Sequence, residues 1–392
     1  MFYSPRVLIF ILSLLIFVEY AGDPILRAFT SPADRVLSDQ IFKFLISFFS
    51  FLLMISFGLK LPRNISLLIP IILFMSVLLF GFAHGILVNA PSNAVNEVIP
   101  YLFILLFFVF SSIRKPISVD EVEFMLKIMV YIVTLKVIVY IMASFAFYGY
   151  FSWKVLTKQS PLLVIPLCVF LSNYILKKKS NSNITLLFLI IFCIMFAQAR
   201  MLLLACIFVF SYYFLGRKFI RAIPVVAIIG LSLQIYLLFV GGGAGDVGSF
   251  FYGGQAYEDG MSYRLIQLEV LLSRLIESPF IGVGFGHFTV GYLDYYRLAK
   301  PYLLELDILN FISKIGLIGL FFYGLAYVQL FFLIKKISDD SVRRLSTSLF
   351  ISLIALMIYS LGQTAHQAAT YWIFLAFVYG FIVSHLKAQY RK

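Results

Sequence analysis

The chain is built from apolar runs that follow one another with short breaks, at about 6–22, 38–58, 65–88, 97–113, 121–146, 160–176, 182–198, 201–216, 219–240, 304–334, 345–362 and 369–386. A helix that crosses a bilayer takes roughly 20 apolar residues, because its backbone rises about 1.5 Å per residue through about 30 Å of hydrocarbon. In lipid every backbone N–H and C=O must find its partner within the protein, which makes helices the solution for runs of this length. About twelve spanning helices are expected. With 62% hydrophobic and 12% charged residues among 392, little chain is left for a water-soluble domain, and the soluble multidomain class that this length suggests is excluded. The first run has Arg6 ahead of an apolar stretch, as a signal peptide does, but Glu19 and Ala21 fit a small-x-small cleavage site poorly, so it reads as a helix.

The excess of Lys+Arg over Asp+Glu, 31 against 18, would suggest nucleic acid in a soluble protein. Here the position of the cations accounts for it. With the amino terminus inside and the runs alternating, the inside loops collect Lys177-Lys178-Lys179, Arg217-Lys218, Lys335-Lys336 and Arg343-Arg344, and carry about twice the basic residues of the outside loops. Both termini are expected inside, and no nucleic acid is implied as a partner. The runs 182–198 and 201–216 are parted only by Gln198, Ala199 and Arg200. Merging them would turn the basic segment 335–344 outward, so two short helices with a tight outside turn are expected. Cys168, Cys193 and Cys206 lie in apolar runs without CxxC or Cys/His spacing and read as small buried apolar residues, with neither a disulfide framework nor a metal site expected.

One connection is long, 241–303, and long loops usually carry function. After Gly241, Gly242, Gly243 and Gly245, the stretch 261–277 sets Leu265, Leu268, Leu271, Leu272 and Leu275 at helical spacing, and Ser278-Pro279 ends it. An amphipathic helix lying at the outer surface is expected. Gly282-Val283-Gly284-Phe285-Gly286-His287 follows, and then Tyr292, Tyr295, Tyr296 and Tyr302. The glycine spacing is wrong for a dinucleotide fingerprint and no strand precedes it. Because glycine admits positive φ and close backbone approach, a tight re-entrant loop over a cavity is the better reading. The tyrosines fit sugar stacking and a membrane-interface belt equally well.

Ionisable groups at or beneath the outer face are few, and a charge there tends to have a role. Arg200 sits in the turn between two apolar helices, Arg264 starts the amphipathic helix, and Glu305 with Asp307 opens the tenth span. Two arginines and a carboxylate at one face suit a pyrophosphate group, which guanidinium binds in a bidentate way. Lipid-headgroup contact suits each arginine as well, and an interfacial carboxylate without a role suits Glu305. Arg274 reads first as a solvated partner of Glu277 and second as a ligand. Lys43 and Lys127 can snorkel, whereas Lys136 and Lys314 lie deeper and find no explanation in the sequence. Among the histidines His287, beside the glycine run, stands out.

Gln198-Ala199-Arg200 between two helices resembles the Ser-Arg turn of the bacterial O-antigen polymerase and ligase family (Wzy/WaaL type). Arg264 followed by Ser278-Pro279-Phe280-Ile281-Gly282-Val283-Gly284 is similar to that family's signature of an arginine ahead of a Pro and Gly-x-Gly segment. A Gly-x-x-Gly, Gly316-Leu317-Ile318-Gly319, comes next, and where the ligases carry a His-Asn pair this chain has Glu305-Leu306. The resemblance covers 186–323, and the N-terminal half matches only in being helical. It implies an all-α, GT-C-like polytopic membrane fold that performs cofactor-free, metal-independent inverting glycosyl transfer. The donor would be an undecaprenyl-pyrophosphate-linked glycan, at the periplasmic face of a bacterial inner membrane. In that scheme Arg200 and Arg264 neutralise the pyrophosphate, and Glu305 is the general base for the acceptor hydroxyl. Gly282, Gly284, His287, Tyr263, Arg274 and Asp307 bind substrate.

Glu305 in place of His-Asn favours the polymerase branch, which joins repeat units of O-antigen or a similar surface polysaccharide in lipopolysaccharide biosynthesis, over the ligase branch, which transfers polymer to lipid A core. A chain-length regulator is then an expected protein partner beside the bilayer and the lipid-linked glycan. A flippase or transporter is the competing reading. Such proteins commonly show internal repeats with matched helix breaks, and no such symmetry is visible here. The chain divides into N-terminal helices at 1–240, the periplasmic loop at 241–303 and C-terminal helices at 304–392.

Overall fold

A computed structural model describes residues 68–112, 116–148, 160–176, 181–195, 200–216, 267–287, 306–361 and 369–390. The described residues are helical with no strand among them. In chain order the helices are α1 (Ile69–Val88), α2 (Pro91–Leu102), α3 (Leu106–Ser112), α4 (Val119–Tyr148), α5 (Val164–Leu176), α6 (Asn181–Met195) and α7 (Arg200–Leu215). They continue with α8 (267–277), α9 (Asp307–Lys335), α10 (Asp340–Tyr359) and α11 (Ala369–Gln389). The runs at 6–22, 38–58 and 219–240 lie outside the described residues. Five described elements are long and apolar enough to cross a membrane: α1, the α2–α3 rod over Pro91–Ser112, α9, α10 and α11. With the shorter apolar helices α5, α6 and α7 beside them, they make this an integral membrane protein of the all-helical class.

Local chemistry sets the boundaries. Pro70 and Pro91 fall in the first turns of α1 and α2, where a missing N–H costs nothing. Pro100 inside α2 removes a donor, and the rod tightens just beyond it into a 3-10 turn at Phe103–Leu105 before continuing as α3. Asp339 caps α10, its carboxylate accepting from the N–H groups of Ser341 and Val342 at 2.8 and 3.1 Å.

Hydrogen bonds between helix ends fix how the rods alternate. Lys387 donates to the Ser111 carbonyl at 2.7 Å, His385 meets the Ile117 carbonyl at 2.9 Å, and the Ser338 N–H donates to Gln389 Oε1 at 3.1 Å. The end of α3, the start of α4, the α9–α10 turn and the end of α11 therefore share one end of the bundle, the end rich in lysine and arginine. At the other end the Ile308 N–H donates to the Ser360 carbonyl at 3.3 Å. Along α7, Tyr213 donates to Ser348 at 2.8 Å and also bonds Ser172, while Cys168 bonds Ser352 and faces Cys206. This order makes α5 and α7 run together and antiparallel to α10. Arg200, heading α7, therefore lies at the same end as Asp307.

Lipid gives no hydrophobic drive for helices to associate, so the interior of such a bundle is set apart by close packing and polar contacts. Phe188, Phe321 and Leu87 face outward. Inside, Phe74, Tyr101, Phe311, Tyr323 and Trp372 pack ring against ring at 5.0–6.3 Å between centroids. The hydroxyls of Tyr323, Tyr327 and Tyr371 bond to one another. Glu97, Gln267, Arg274, Asp307, Asn310, Ser313 and Lys314 are buried too, and they gather at the end of the bundle away from the basic loops. The three cysteines are buried, as the sequence indicates.

Candidate functional site

Helix α9 is broken. Gly316 has φ 65° and ψ −173°, a left-handed conformation that suits glycine, and it stands about 14 Å from the start of the helix at an ordinary rise. A break within a spanning helix frees carbonyls on one side and N–H groups on the other, and each costs several kcal/mol if left bare in hydrocarbon. The segment 278–287 supplies the partners. Val283 and Gly284 donate their N–H groups to the carbonyls of Ser313 and Lys314 at 2.9 and 3.2 Å. Leu317 and Ile318 donate theirs to the carbonyls of Pro279 and Phe280 at 2.9 and 3.1 Å. The loop is packed into the break in α9 rather than roofing a cavity.

The remaining polar groups of the glycine run are accounted for in the same way. Phe285 donates its N–H to the Gly81 carbonyl at 3.2 Å, and Gly286 donates to Glu97 Oε2 at 2.6 Å. Asn89 on the α1–α2 turn donates through Nδ2 to the carbonyls of both Val283 and Phe285, at 3.1 and 3.0 Å. Gly282, Gly284 and Gly286 all have φ between 75° and 80°, and a side chain at Gly286 would run into the Ala94 and Asn93 backbone. Amides exposed by such a run commonly cradle an anion. Here their acceptors are the protein's own carbonyls and the Glu97 carboxylate, so these amides are already engaged within the fold.

Glu97 also pairs with Lys314, both side chains fully buried. Lys314, unexplained by the sequence, thus sits two residues before the helix break and is neutralised across 217 positions of chain. Glu97 escaped notice because it stood at the edge of an apolar run. In the structure α2 begins six residues earlier, at Pro91, so Glu97 lies inside the rod. An intramembrane ionisable pair of this kind is expensive to bury and marks a constrained place.

Asn89 also orients the ring of His287. With Nδ2 facing two carbonyls, Oδ1 faces His287 Nδ1 at 3.2 Å, an arrangement that suits a proton on Nδ1. Burial holds the His287 pKa below its usual value, the Arg274 charge adds to this, and Glu277 opposes it.

Helix α8 differs from the expectation in what it turns inward. Gln267, Leu271 and Arg274 face the protein and are buried, whereas Leu272 and Ile276 are 48% and 81% exposed. Arg274, expected as a solvated partner of Glu277, is instead 2% exposed and donates to Asn310 Oδ1 at 3.5 Å. The physical reason is a partner distant in sequence: the buried Asn310 amide on α9 accepts from the guanidinium, which a local pairing with Glu277 does not anticipate. Gln267 Oε1 accepts the Leu306 N–H at 3.2 Å, tying the start of α8 to the start of α9 next to buried Asp307.

Of the residues singled out in the sequence, Gly282, Gly284, His287, Arg274 and Asp307 thus come to one end of the bundle around α8, the glycine loop and α9. Arg200 is described in its backbone alone, at that same end. Tyr263, Arg264 and Glu305 lie outside the described residues. The sequence reading missed Glu97, Asn89, Gln267 and Asn310; the first of these carried a signal, a lone carboxylate inside an apolar rod. In comparisons with known proteins, no family model and no curated protein matches the chain.

Proposed function

We propose that this protein is a membrane-embedded glycosyltransferase that polymerises undecaprenyl-pyrophosphate-linked repeat units at the periplasmic face of a bacterial inner membrane. The observation that carries the reading is the hydrogen bond between Gln267 and Leu306. In sequence Arg264 lies three residues before Gln267 and Glu305 directly before Leu306, so the bond joins the segments that follow the two candidate residues. Arg200 heads α7 at the same end of the bundle, which suits two guanidinium groups on one pyrophosphate.

In this scheme Arg200 and Arg264 stabilise the charge that grows on the pyrophosphate as it leaves. Glu305 takes the proton of the acceptor hydroxyl as that oxygen bonds to C1. The electron pair of the breaking C1–O bond departs with pyrophosphate, and the configuration inverts. Buried Arg274, Asn310, Gln267 and Asp307 hold the frame, and neutral His287 offers Nε2 as an acceptor for a sugar hydroxyl.

A second reading has an observation in its favour. A broken spanning helix with an ionisable pair beside the break is a recurrent feature of carriers, and α9 with Glu97–Lys314 fits it. Against transport, the break is filled by the protein's own loop, which satisfies its backbone groups. Purified full-length protein in vesicles containing lipid-linked repeat units separates the readings: the polymerase lengthens the glycan, whereas a carrier moves it with its length unchanged. In cells lacking the protein, core bearing a single repeat unit is expected, and Glu305→Gln is expected to insert normally yet fail to restore the ladder. Full activity of Glu305→Gln would remove the base assignment, and core with no repeat at all would point to the ligase or the flippase.

A further inference from the structure

Helix α8 presents three faces rather than two. At 100° per residue, Gln267, Leu271 and Arg274 fall on one side and are buried against the bundle. Leu268, Leu272 and Ile276 fall on the next, where Leu272 and Ile276 stand exposed beside a shallow groove. Glu269, Ser273 and Glu277 make the third, also exposed. The apolar face continues past the helix into Phe280 and Ile281, 65% and 40% exposed.

Two backbone bonds fix where that apolar strip lies. The carbonyls of Pro279 and Phe280 accept from Leu317 and Ile318, which belong to α9, a membrane-crossing helix. Ile318 stands eleven residues past the first residue of α9, roughly 16 Å along the helix. Leu317, Ile318 and Phe321 point outward there, 49%, 43% and 61% exposed, and form part of the lipid-facing surface of the bundle. Phe280 and Ile281 are side by side with them, so one continuous apolar surface runs from α9 across the turn to the outer side of α8.

We infer that α8 and the turn after it are immersed in the bilayer, with acyl chains of one leaflet covering Leu272, Ile276, Phe280 and Ile281, and with Glu269, Ser273 and Glu277 facing headgroups and water. The long connection is therefore part of the membrane domain at this point. Its contact is with hydrocarbon: helices that bind anionic lipid surfaces carry Lys and Arg on the polar face, whereas the polar face of α8 carries two carboxylates and its arginine is turned inward. The inference stands independently of the glycosyl-transfer reading.

Nitroxide labels on single added cysteines in the full-length protein, reconstituted in phosphatidylcholine vesicles, test it. The native cysteines are buried, and the parent protein treated with label is the blank. At Leu272→Cys, Ile276→Cys and Phe280→Cys, collisions with oxygen, which concentrates in lipid, are expected to exceed collisions with a water-soluble nickel chelate. At Ser273→Cys and Glu277→Cys the order reverses. Replacing part of the lipid with phosphatidylglycerol leaves the pattern unchanged. Dominant nickel collisions at 276 and 280 would place that face in water, and few collisions of either kind would place it under protein, from this chain or a second copy; both results overturn the inference. Failure of the parent protein to lengthen the lipid-linked glycan, with the label pattern as expected, would fault the enzymatic reading alone.

Discussion

Removing one partner of the Glu97–Lys314 pair should cost far more than removing both. Lys314→Met leaves the Glu97 carboxylate fully buried with the Gly286 N–H as its described remaining donor. Glu97→Gln removes the opposing charge from beside the buried ammonium while still offering Gly286 an acceptor oxygen. Breaking a buried pair on one side costs about 3–5 kcal/mol, whereas replacing both charges is often neutral or stabilising. The double variant Glu97→Gln/Lys314→Met keeps the acceptor for Gly286 and removes both charges, so it should lie within about 1 kcal/mol of the parent and above either single variant by roughly 3 kcal/mol. Equilibrium unfolding of the full-length protein in mixed dodecylmaltoside and dodecyl sulfate micelles measures all four corners of the cycle. The exposed Arg343–Asp340 pair is the internal control, since a solvated pair is worth about 0–1 kcal/mol. The reasoning fails if either single variant loses less than about 1 kcal/mol, or if the double variant loses the sum of the two.

Three further outcomes are expected. Gly286→Ala, at φ 80° and against the Ala94 backbone, should cost at least about 1–3 kcal/mol in the same unfolding assay from backbone strain, whereas Gly324→Ala, with nothing near its added carbon, should stay within about 1 kcal/mol. Asp339→Ala should cost about 0.5–2 kcal/mol at neutral pH by uncapping α10; hydrogen bonds from Ser341 and Val342 hold the carboxyl below its usual range, so the cap's contribution is full above the ordinary value of 3.8 and fades as pH falls through the lowered one. His287 titrates below its usual 6.5 when folded, so the loop is most stable with the ring neutral and should loosen as pH falls below 6.5. Hydrogen exchange of peptides spanning 282–287, corrected for intrinsic rates, should show lost protection at pH 5.5, and His287→Gln should abolish that pH dependence.

Much of the helical framework was legible in the sequence, because span length is set by bilayer thickness rather than by tertiary detail. The expected run 369–386 is α11, Ala369–Gln389, and the two short runs around Arg200 are the separate helices α6 and α7. The charge argument that kept them apart was a statement about topology, and the contacts of α5, α7 and α10 agree with it. Legibility failed where a residue answers to a distant partner. Gly316 reads as half of a Gly-x-x-Gly inside a helix, and its break is intelligible only once the loop that fills it is known. Lys314 and Glu97 meet through the fold, which no local periodicity encodes. Arg274 answers to a distant partner as well, since its hydrogen bond goes to Asn310 on α9, 36 positions along the chain, and not to nearby Glu277. For the chemistry, the sequence supplied the candidates Arg200, Arg264 and Glu305, and the structure supplied a tie between Gln267 and Leu306, which follow two of them in the chain.

The filled break in α9 also orders the assembly of the chain in time. The segment that completes the helix is translated before it, and the α1–α2 turn that grips that segment through Asn89 is translated earlier still. The backbone partners that residues 313–318 need in hydrocarbon thus come from chain made before them, so α9 is a spanning helix completed by its predecessor in the sequence.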